Sequence, residues 1–141
     1  MTGWPALPVI YEVNTAVWLG DLSRAAGRRV TLGDVTGSDW DAITPDGANA
    51  VWLMGVWERS PAGLALANAN QELQASFREA LPDLRPEDNV GSPYCVRRYV
   101  AAELFGGREG LAAARAASSA RAAASARGPP NTGSTTYRRT Q

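Results

Sequence analysis

The chain has 141 residues, 45% of them hydrophobic, so it has room for about one domain with a core. Its 14 acidic and 14 basic residues balance, and the charge gives no reason to expect a nucleic-acid partner. Histidine is absent, which removes the commonest metal ligand and the usual general base at neutral pH. We therefore expect no metal site and no cofactor.

Three further features bear on where the protein works. Residues 1–7 lack a basic region followed by an apolar core, so we expect no signal peptide. The longest apolar run, residues 50–57, is shorter than the roughly 20 residues of a membrane-spanning helix. The single cysteine, Cys95, cannot form an internal disulfide. We expect a soluble, cytoplasmic protein with no membrane partner.

The chain begins with a predicted strand and two predicted helices. Residues 9–15, Val-Ile-Tyr-Glu-Val-Asn-Thr, are rich in β-branched and aromatic side chains and predict a strand. Residues 17–26 predict a loop and a short helix that Gly27 closes. Ser38 is the predicted N-cap of a second short helix, over residues 39–44.

The most apolar stretch predicts the second strand. Residues 45–47, Pro-Asp-Gly, end the preceding helix, and residues 50–57 then run without polar alternation. Such a run, rich in Val and Trp, predicts a strand buried on both faces. Together with the first strand and the helices between them, it predicts a βαβ unit, which normally means a parallel sheet and a right-handed crossover. Polar residues just past such a strand, here Glu58 and Arg59, lie where α/β sheets and barrels keep their sites.

The next part of the chain is predicted to be mainly helical. Residues 62–67 predict one or two helical turns, and residues 70–81 predict a helix with apolar side chains at every fourth position. Residues 90–100 mix turn residues with aromatics and predict an ordered loop. A last helix is predicted from Arg108 onward.

The composition changes sharply near residue 111. All 14 acids and nine of the arginines precede residue 110, and the remaining five arginines follow with no acid among them. Residues 112–127 contain only Ala, Ser and Arg, which favour a helix but offer no bulky side chain to bury. Residues 128–141 are predicted to be disordered.

Three segments stand in an order and spacing typical of one enzyme family. They are residues 9–15, residues 52–61 (Trp-Leu-Met-Gly-Val-Trp-Glu-Arg-Ser-Pro), and residues 91–96 (Gly-Ser-Pro-Tyr-Cys-Val) ahead of Tyr99. Residues 104–107, Leu-Phe-Gly-Gly, then lead into a helix. Over about residues 8–115, the chain resembles the start of an α-amylase-family glycoside hydrolase catalytic domain.

This resemblance implies an α/β fold, the N-terminal portion of a (β/α)8 TIM barrel that cleaves or transfers α-glucosidic bonds with retention. Such enzymes use an Asp nucleophile and a Glu acid/base. In this family, these two carboxylates and a further Asp that holds the sugar hydroxyls lie at the ends of strands four, five and seven. An Asp followed by an Asn-His motif ends strand three. A complete barrel needs about 250 residues, and this chain has no histidine. We therefore expect a truncated barrel that is inactive by itself and has no catalytic residue.

The resemblance implies one substrate-binding residue in this chain, Tyr94. It matches the Tyr that lines the sugar pocket in the loop after strand two, so the implied partner is an oligosaccharide or α-glucan. Cys95 stands where many members carry Asp, and Arg98 where they usually carry Asp before Tyr99. These departures remove two acids from the implied subsite.

Other candidate site residues have plainer structural interpretations. Trp52 and Trp57 could stack on a sugar, but a buried strand accounts for them better. Glu58 and Arg59 could form a site pair, although a local structural ion pair is commoner. Glu12 is structural in the resembled family. Cys95 has no histidine partner that could activate it as a nucleophile.

We expect a partial catalytic barrel over residues 8–111, acting in carbohydrate metabolism as part of a parent enzyme, and an Ala/Arg-rich tail over residues 112–141. We hypothesise that the tail is a frameshift product, because residues 132–136 can be encoded so that a shifted frame reads Gly-Leu-Asp-His. The tail arginines could also bind an acidic partner, although a solvated segment is favoured. Two other interpretations are open: a small non-enzymatic α/β module that binds a sugar or a protein, and a second chain that supplies the missing strands.

Overall fold

The computed structural model of the chain describes residues 5–44 and 47–125. The strands are β1 (Ile10–Asn14), β2 (Ala50–Met54), β3 (Trp57–Arg59) and β4 (Val96–Ala101). The α-helices are α1 (Thr15–Ala26), α2 (Gly37–Ile43), α3 (Pro61–Ala69), α4 (Gln71–Ala80) and α5 (Gly107–Ser125), and short 3₁₀ turns lie at Pro86–Asp88 and Glu103–Phe105. Within the described residues, no helix combines the length and the apolar character needed to cross a membrane.

The first sheet confirms the predicted parallel βαβ unit. Strands β1 and β2 pair in parallel, in a register that runs from Ile10 opposite Ala50 to Asn14 opposite Met54. Helix α1 begins directly after β1, where the Asn14 side chain accepts a hydrogen bond from the Val17 N–H. It ends at Gly27, whose φ of +63° is the left-handed conformation that a glycine adopts at least cost.

The predicted N-cap of α2 is two residues out of place. Thr36, not Ser38, caps the helix: its hydroxyl accepts from the Asp39 N–H, and the Asp39 carboxylate accepts from the Thr36 N–H. Ser38 lies inside the first turn, and its hydroxyl lies 2.9 Å from that of Thr36. A reciprocal capping box satisfies two backbone donors, which a lone serine cap does not. Residues 45 and 46, where this helix was predicted to stop, lie outside the described residues.

The long apolar run forms two strands, so the predicted single strand, buried on both faces, is wrong. Gly55 has a φ of +75°, which turns the chain between β2 and β3. Trp52, in the middle of β2, is 53% exposed. Val56, which lies between β2 and β3 in the sequence, is buried, and its carbonyl accepts a hydrogen bond from the Ala102 N–H at 3.0 Å.

The second sheet replaces part of the predicted loop over residues 90–100. From Val96 onward the chain is strand β4, which pairs antiparallel with β3 and places Arg98 opposite Glu58. The pairing has two irregularities in register. The loop prediction followed the Gly and Pro at residues 91–93, and those residues do form a loop. The β-branched and aromatic residues after them extend because β3 offers a partner.

Helices α3 and α4 confirm the two helices predicted after residue 61. Ser60 caps α3 through a hydrogen bond from the Gly63 N–H, and Asn70 caps α4 through bonds from two backbone N–H groups. Neither helix has a fully buried residue. The helical sequence pattern therefore predicted these elements, but not how little of them would be buried.

One core joins the beginning of the chain to its last described helix. Its centre is an edge-to-face pair of Trp18 and Trp40, with ring centroids 4.8 Å apart. The Leu32 N–H donates to the Phe105 carbonyl at 3.0 Å, which ties the connector after α1 to the turn before α5. The buried core residues are Val13, Trp18, Leu19, Val30, Leu32, Trp40, Val56, Ala102, Phe105 and Ala114.

Helix α5 continues past the composition change at residue 111 without a break. Ala114, inside the Ala/Ser/Arg segment, is only 2% exposed and belongs to the core. The expectation that nothing in this segment can be buried is therefore wrong, because an alanine suffices where a helix lies close to its neighbour. The structure describes no residue after Ser125, so the predicted disorder over residues 128–141 lies outside the described residues.

Candidate functional site

The candidate site is the loop of residues 90–95, which presents Tyr94. The Cys95 N–H donates to the Ser92 carbonyl at 3.2 Å, and the Tyr94 N–H donates to the Ser92 hydroxyl at 3.3 Å. The Cys95 carbonyl accepts from the Ser60 N–H at 2.8 Å, which joins the loop to the start of α3. The backbone around Tyr94 is thus held on both sides, while the side chain is 76% exposed. Its ring is free to stack on the flat face of a ligand.

Arg59 connects this loop to the turn between β2 and β3. Its Nη1 donates to the Gly91 carbonyl at 2.6 Å and to the Val90 carbonyl at 3.5 Å, and its Nη2 donates to the Gly55 carbonyl at 3.2 Å. The guanidinium carbon lies 5.6 Å from the centroid of the Phe105 ring. Burial lowers the pKa of Arg59, because the charged form loses hydration.

The predicted pair of Glu58 and Arg59 is replaced by a different ion pair. The Glu58 carboxylate accepts from Arg98 Nε at 3.1 Å and from Arg97 Nη1 at 3.2 Å. The hydrogen bonds of Arg59 go to backbone carbonyls instead. Arg98, which stands in place of an acid of the resembled family, has Glu58 as its partner across the sheet.

The arginines around Glu58 keep it ionised. The hydrogen bond from Arg98 is the main reason that the pKa of Glu58 lies below its ordinary value, and the charges of Arg98 and Arg97 add to it. A catalytic general acid needs the opposite, a raised pKa that keeps its proton at neutral pH. The ionised Glu58 carboxylate therefore does not suit the role of a general acid.

Replacing Arg98 by Gln should raise the pKa of Glu58 toward its ordinary value. The lowered pKa adds stability that is full above the unfolded pKa and is lost as the pH falls through the folded pKa. Arg98→Gln should therefore reduce the loss of stability on acidification. An NMR titration of the Glu58 carboxyl carbon measures the shift. Arg24→Gln, which removes the Arg24–Asp21 pair on α1, is the control, and an unchanged Glu58 titration in Arg98→Gln would refute the assignment.

A pocket of about 280 Å³ lies beside Arg59. Its lining residues are Glu58, Arg59, Val90, Ala102, Glu103, Leu104 and Phe105. Tyr94 is not among them. The exposed ring therefore does not line the pocket, although Val90 belongs both to the loop of residues 90–95 and to the pocket lining.

Among the described residues, four other aromatic side chains are exposed, namely Tyr11, Trp52, Trp57 and Tyr99, contrary to the expectation for two of them. Trp52 and Trp57 were expected to be buried in one strand, and both reach solvent. Trp57 lies edge-on to Tyr99 across the β3–β4 pair, with ring centroids 6.1 Å apart. The sequence signal for this exposure is Gly55, which interrupts the apolar run.

Of the remaining candidate residues, Glu12 stands apart from the loop and Cys95 is its last residue. Glu12 is exposed on β1, and Cys95 is an exposed free thiol. In residues 5–44 and 47–125, no group of three or more Cys, Asp or Glu side chains is arranged to hold a metal ion. The role of Tyr94 in binding substrate stays a prediction.

Sequence reasoning missed Arg59 as the centre of the site. Its neighbour Glu58 suggested an ion pair, and its actual partners are backbone carbonyls, which any residue supplies. The available sequence signal was the presence of glycines at residues 55 and 91. In the structure both adopt a positive φ, which favours glycine, and both lie close to Arg59.

Comparison of the chain with protein-family models, with curated protein sequences and with solved structures finds no match to any of them.

Proposed function

We propose that this chain forms the first two βα units of a (β/α)8 barrel of the α-amylase family. In this proposal the complete barrel acts on α-glucosidic bonds of an oligosaccharide or α-glucan. Its chemistry is a double displacement, in which an Asp nucleophile forms a glycosyl-enzyme intermediate and a Glu serves as acid and then base. Those carboxylates belong to later strands, so this chain alone is expected to be inactive.

The observation that carries this proposal is the parallel pairing of β1 and β2 across two intervening helices. A (β/α)8 barrel is built by repeating that unit, with its active site at the carboxyl ends of the strands. The chain leaves β2 through the Gly55 turn and returns at the loop of residues 90–95, beside that turn. Helix α5 then follows where the barrel would need the crossover to its third strand.

Tyr94 is the residue that this chain would contribute to sugar binding. Its ring is exposed while its backbone is held by Ser92 and Ser60. Aromatic rings on a fixed backbone suit the flat, apolar face of a pyranose, because little conformational entropy is lost on stacking. In the complete enzyme the ring would form one wall of the substrate pocket.

The decisive test is to sequence the gene from the codon of Leu111 and to translate all three frames. The proposal predicts a frame that continues with an apolar strand, an Asn-His motif and the later Asp and Glu carboxylates. The frame-corrected protein should then hydrolyse or transfer maltooligosaccharides with retention of anomeric configuration. NMR of the first-formed product measures that configuration. If no frame encodes anything resembling a barrel strand, the proposal is wrong.

A second candidate is a small, non-enzymatic α/β module that binds a sugar or another protein. The shared core favours it, because Trp18 and Trp40 pack in one cluster with Phe105 and Ala114 from the other end of the described chain. A stand-alone module should unfold cooperatively, with coincident transitions by fluorescence and circular dichroism. A barrel fragment with unpaired strand edges should instead aggregate or lack fixed tertiary packing.

A further inference from the structure

We propose that Arg59 is a positioning residue, which holds the loop of residues 90–95 against the Gly55 turn and so fixes where Tyr94 stands. The claim that Tyr94 meets a sugar rests on the proposed function. The claim that Arg59 fixes the loop does not, and it is tested separately.

The first support is the way in which the guanidinium spans two segments far apart in sequence. One end donates to the Gly91 carbonyl and the other to the Gly55 carbonyl, at 2.6 and 3.2 Å. Arginine presents five N–H groups in a rigid planar fork, whereas lysine has a single ammonium group. A lysine at residue 59 carries its donors on a single nitrogen, so we expect it to hold the two carbonyls less well.

The second support is that the groups bonded to the Arg59 guanidinium are uncharged. All the hydrogen-bond acceptors that the structure gives it are backbone carbonyls, with the Phe105 ring face beneath the guanidinium. Its Nε is buried and, among the described residues, has no hydrogen-bond partner. A half-buried cation with an unsatisfied donor is costly, so its replacement by an apolar side chain of similar length should cost little stability. Arg59 therefore contributes position more than stability.

The third support is the close packing that connects Arg59 to Tyr94. A Cβ built on Gly55 would lie 2.7 Å from the Cβ of Pro93 and 2.8 Å from Nη2 of Arg59. Pro93 directly precedes Tyr94, and its ring restricts the backbone there. Arg59 thus holds the loop at Gly91, the Gly55 turn supports it at Pro93, and Tyr94 follows immediately.

The experiment uses the full chain and compares Arg59→Met and Arg59→Lys with the control Arg98→Met. Arg98 is an exposed arginine on the partner strand, bound to Glu58. Amide hydrogen exchange, followed by NMR, reports the loop at the N–H groups of Tyr94 and Cys95 and the core at Leu19. Urea unfolding of each variant gives its global stability.

We expect loop amides to exchange about tenfold faster in Arg59→Met, the effect of losing a hydrogen bond to a charged group. The exchange rate of the Leu19 amide and the urea midpoint should stay near those of the unsubstituted chain. Arg59→Lys should restore part of the loop protection, and Arg98→Met should leave the loop unchanged. If Arg59→Met does not fold, the exchange of the loop amides is measured in Arg59→Lys and should be faster than in the unsubstituted chain.

Two results would overturn the proposal. If loop and core exchange accelerate together and the midpoint falls, Arg59 is only a stabilising contact. If neither changes, the loop does not depend on Arg59. Titration of the unsubstituted chain with maltoheptaose, followed at the Tyr94 resonances, is scored separately: an absence of shifts means that Tyr94 does not bind a sugar without the rest of the barrel, and it leaves the positioning role of Arg59 intact.

Discussion

Trp40→Ala should lower the free energy of unfolding by about 3–5 kcal/mol, the usual cost of truncating a buried tryptophan. Trp40 is 1% exposed and meets Trp18 edge-on in the centre of the core. Small domains are stable by only about 5–15 kcal/mol, so this variant should be largely unfolded at moderate urea concentrations. Urea titration followed by far-UV circular dichroism measures the loss.

Two control variants separate burial from the mere loss of an indole. Trp52→Ala removes a tryptophan that is mostly in solvent and should change the free energy of unfolding by less than about 1 kcal/mol. Trp40→Phe keeps an aromatic ring in the core and removes the Nε1–H, which is buried without a hydrogen-bond partner among the described residues. It should cost clearly less than Trp40→Ala. Equal losses in Trp40→Ala and Trp52→Ala would mean that the core is not centred on Trp40.

Elements with a strong local signal were predictable from the sequence. The parallel pairing of β1 with β2 follows from strand-forming runs on either side of helical segments. The helix α4 has a clear apolar period and an Asn70 cap. The Thr36 cap was also within reach, because Asp39 stands three residues later, as a capping box requires.

Elements that depend on a distant partner were not predictable in the same way. Residues 50–57 have no alternation, so their sequence alone does not show where one strand ends. The division into β2 and β3 depends on the positive φ of Gly55 and on β4, whose residues pair with β3 some 40 positions away. The sequence of β4 contains strand formers, but turn residues precede them and its partner is a strand of only three residues.

The candidate site likewise has one residue that the sequence could suggest and one that depends on distant partners. Tyr94 was predicted from the family resemblance, and its sugar-binding role stays a prediction; the structure shows only that its side chain is exposed. Arg59 was not identified as a bracing residue, because carbonyl acceptors leave no trace in the residue types that flank it. Pairing rules for charged side chains favoured Glu58 as its partner, and the strand geometry directs Glu58 to Arg98 instead.

Gly55→Ala should be the most damaging glycine substitution near the site. A left-handed φ costs a non-glycine residue about 1–2 kcal/mol, and Gly55 has a φ of +75°. The new methyl group would also lie 2.7 Å from Pro93 Cβ, and overpacking of this kind adds about 1–3 kcal/mol. We therefore expect a total loss of about 2–5 kcal/mol in urea unfolding, obtained from these two contributions, together with faster amide exchange at Tyr94.

Gly27→Ala is the matched control, because Gly27 has a similar φ of +63° and open space where a Cβ would stand. It should show only the backbone cost, about 1–2 kcal/mol, with no change in the Tyr94 loop. The excess loss in Gly55→Ala then measures the contact with the loop. Adding Arg59→Met to Gly55→Ala removes the 2.8 Å approach to Nη2 but leaves the one to Pro93. If the double variant regains no stability, the clash lies with Pro93, and the turn itself, more than the guanidinium, sets how closely the Tyr94 loop approaches the sheet.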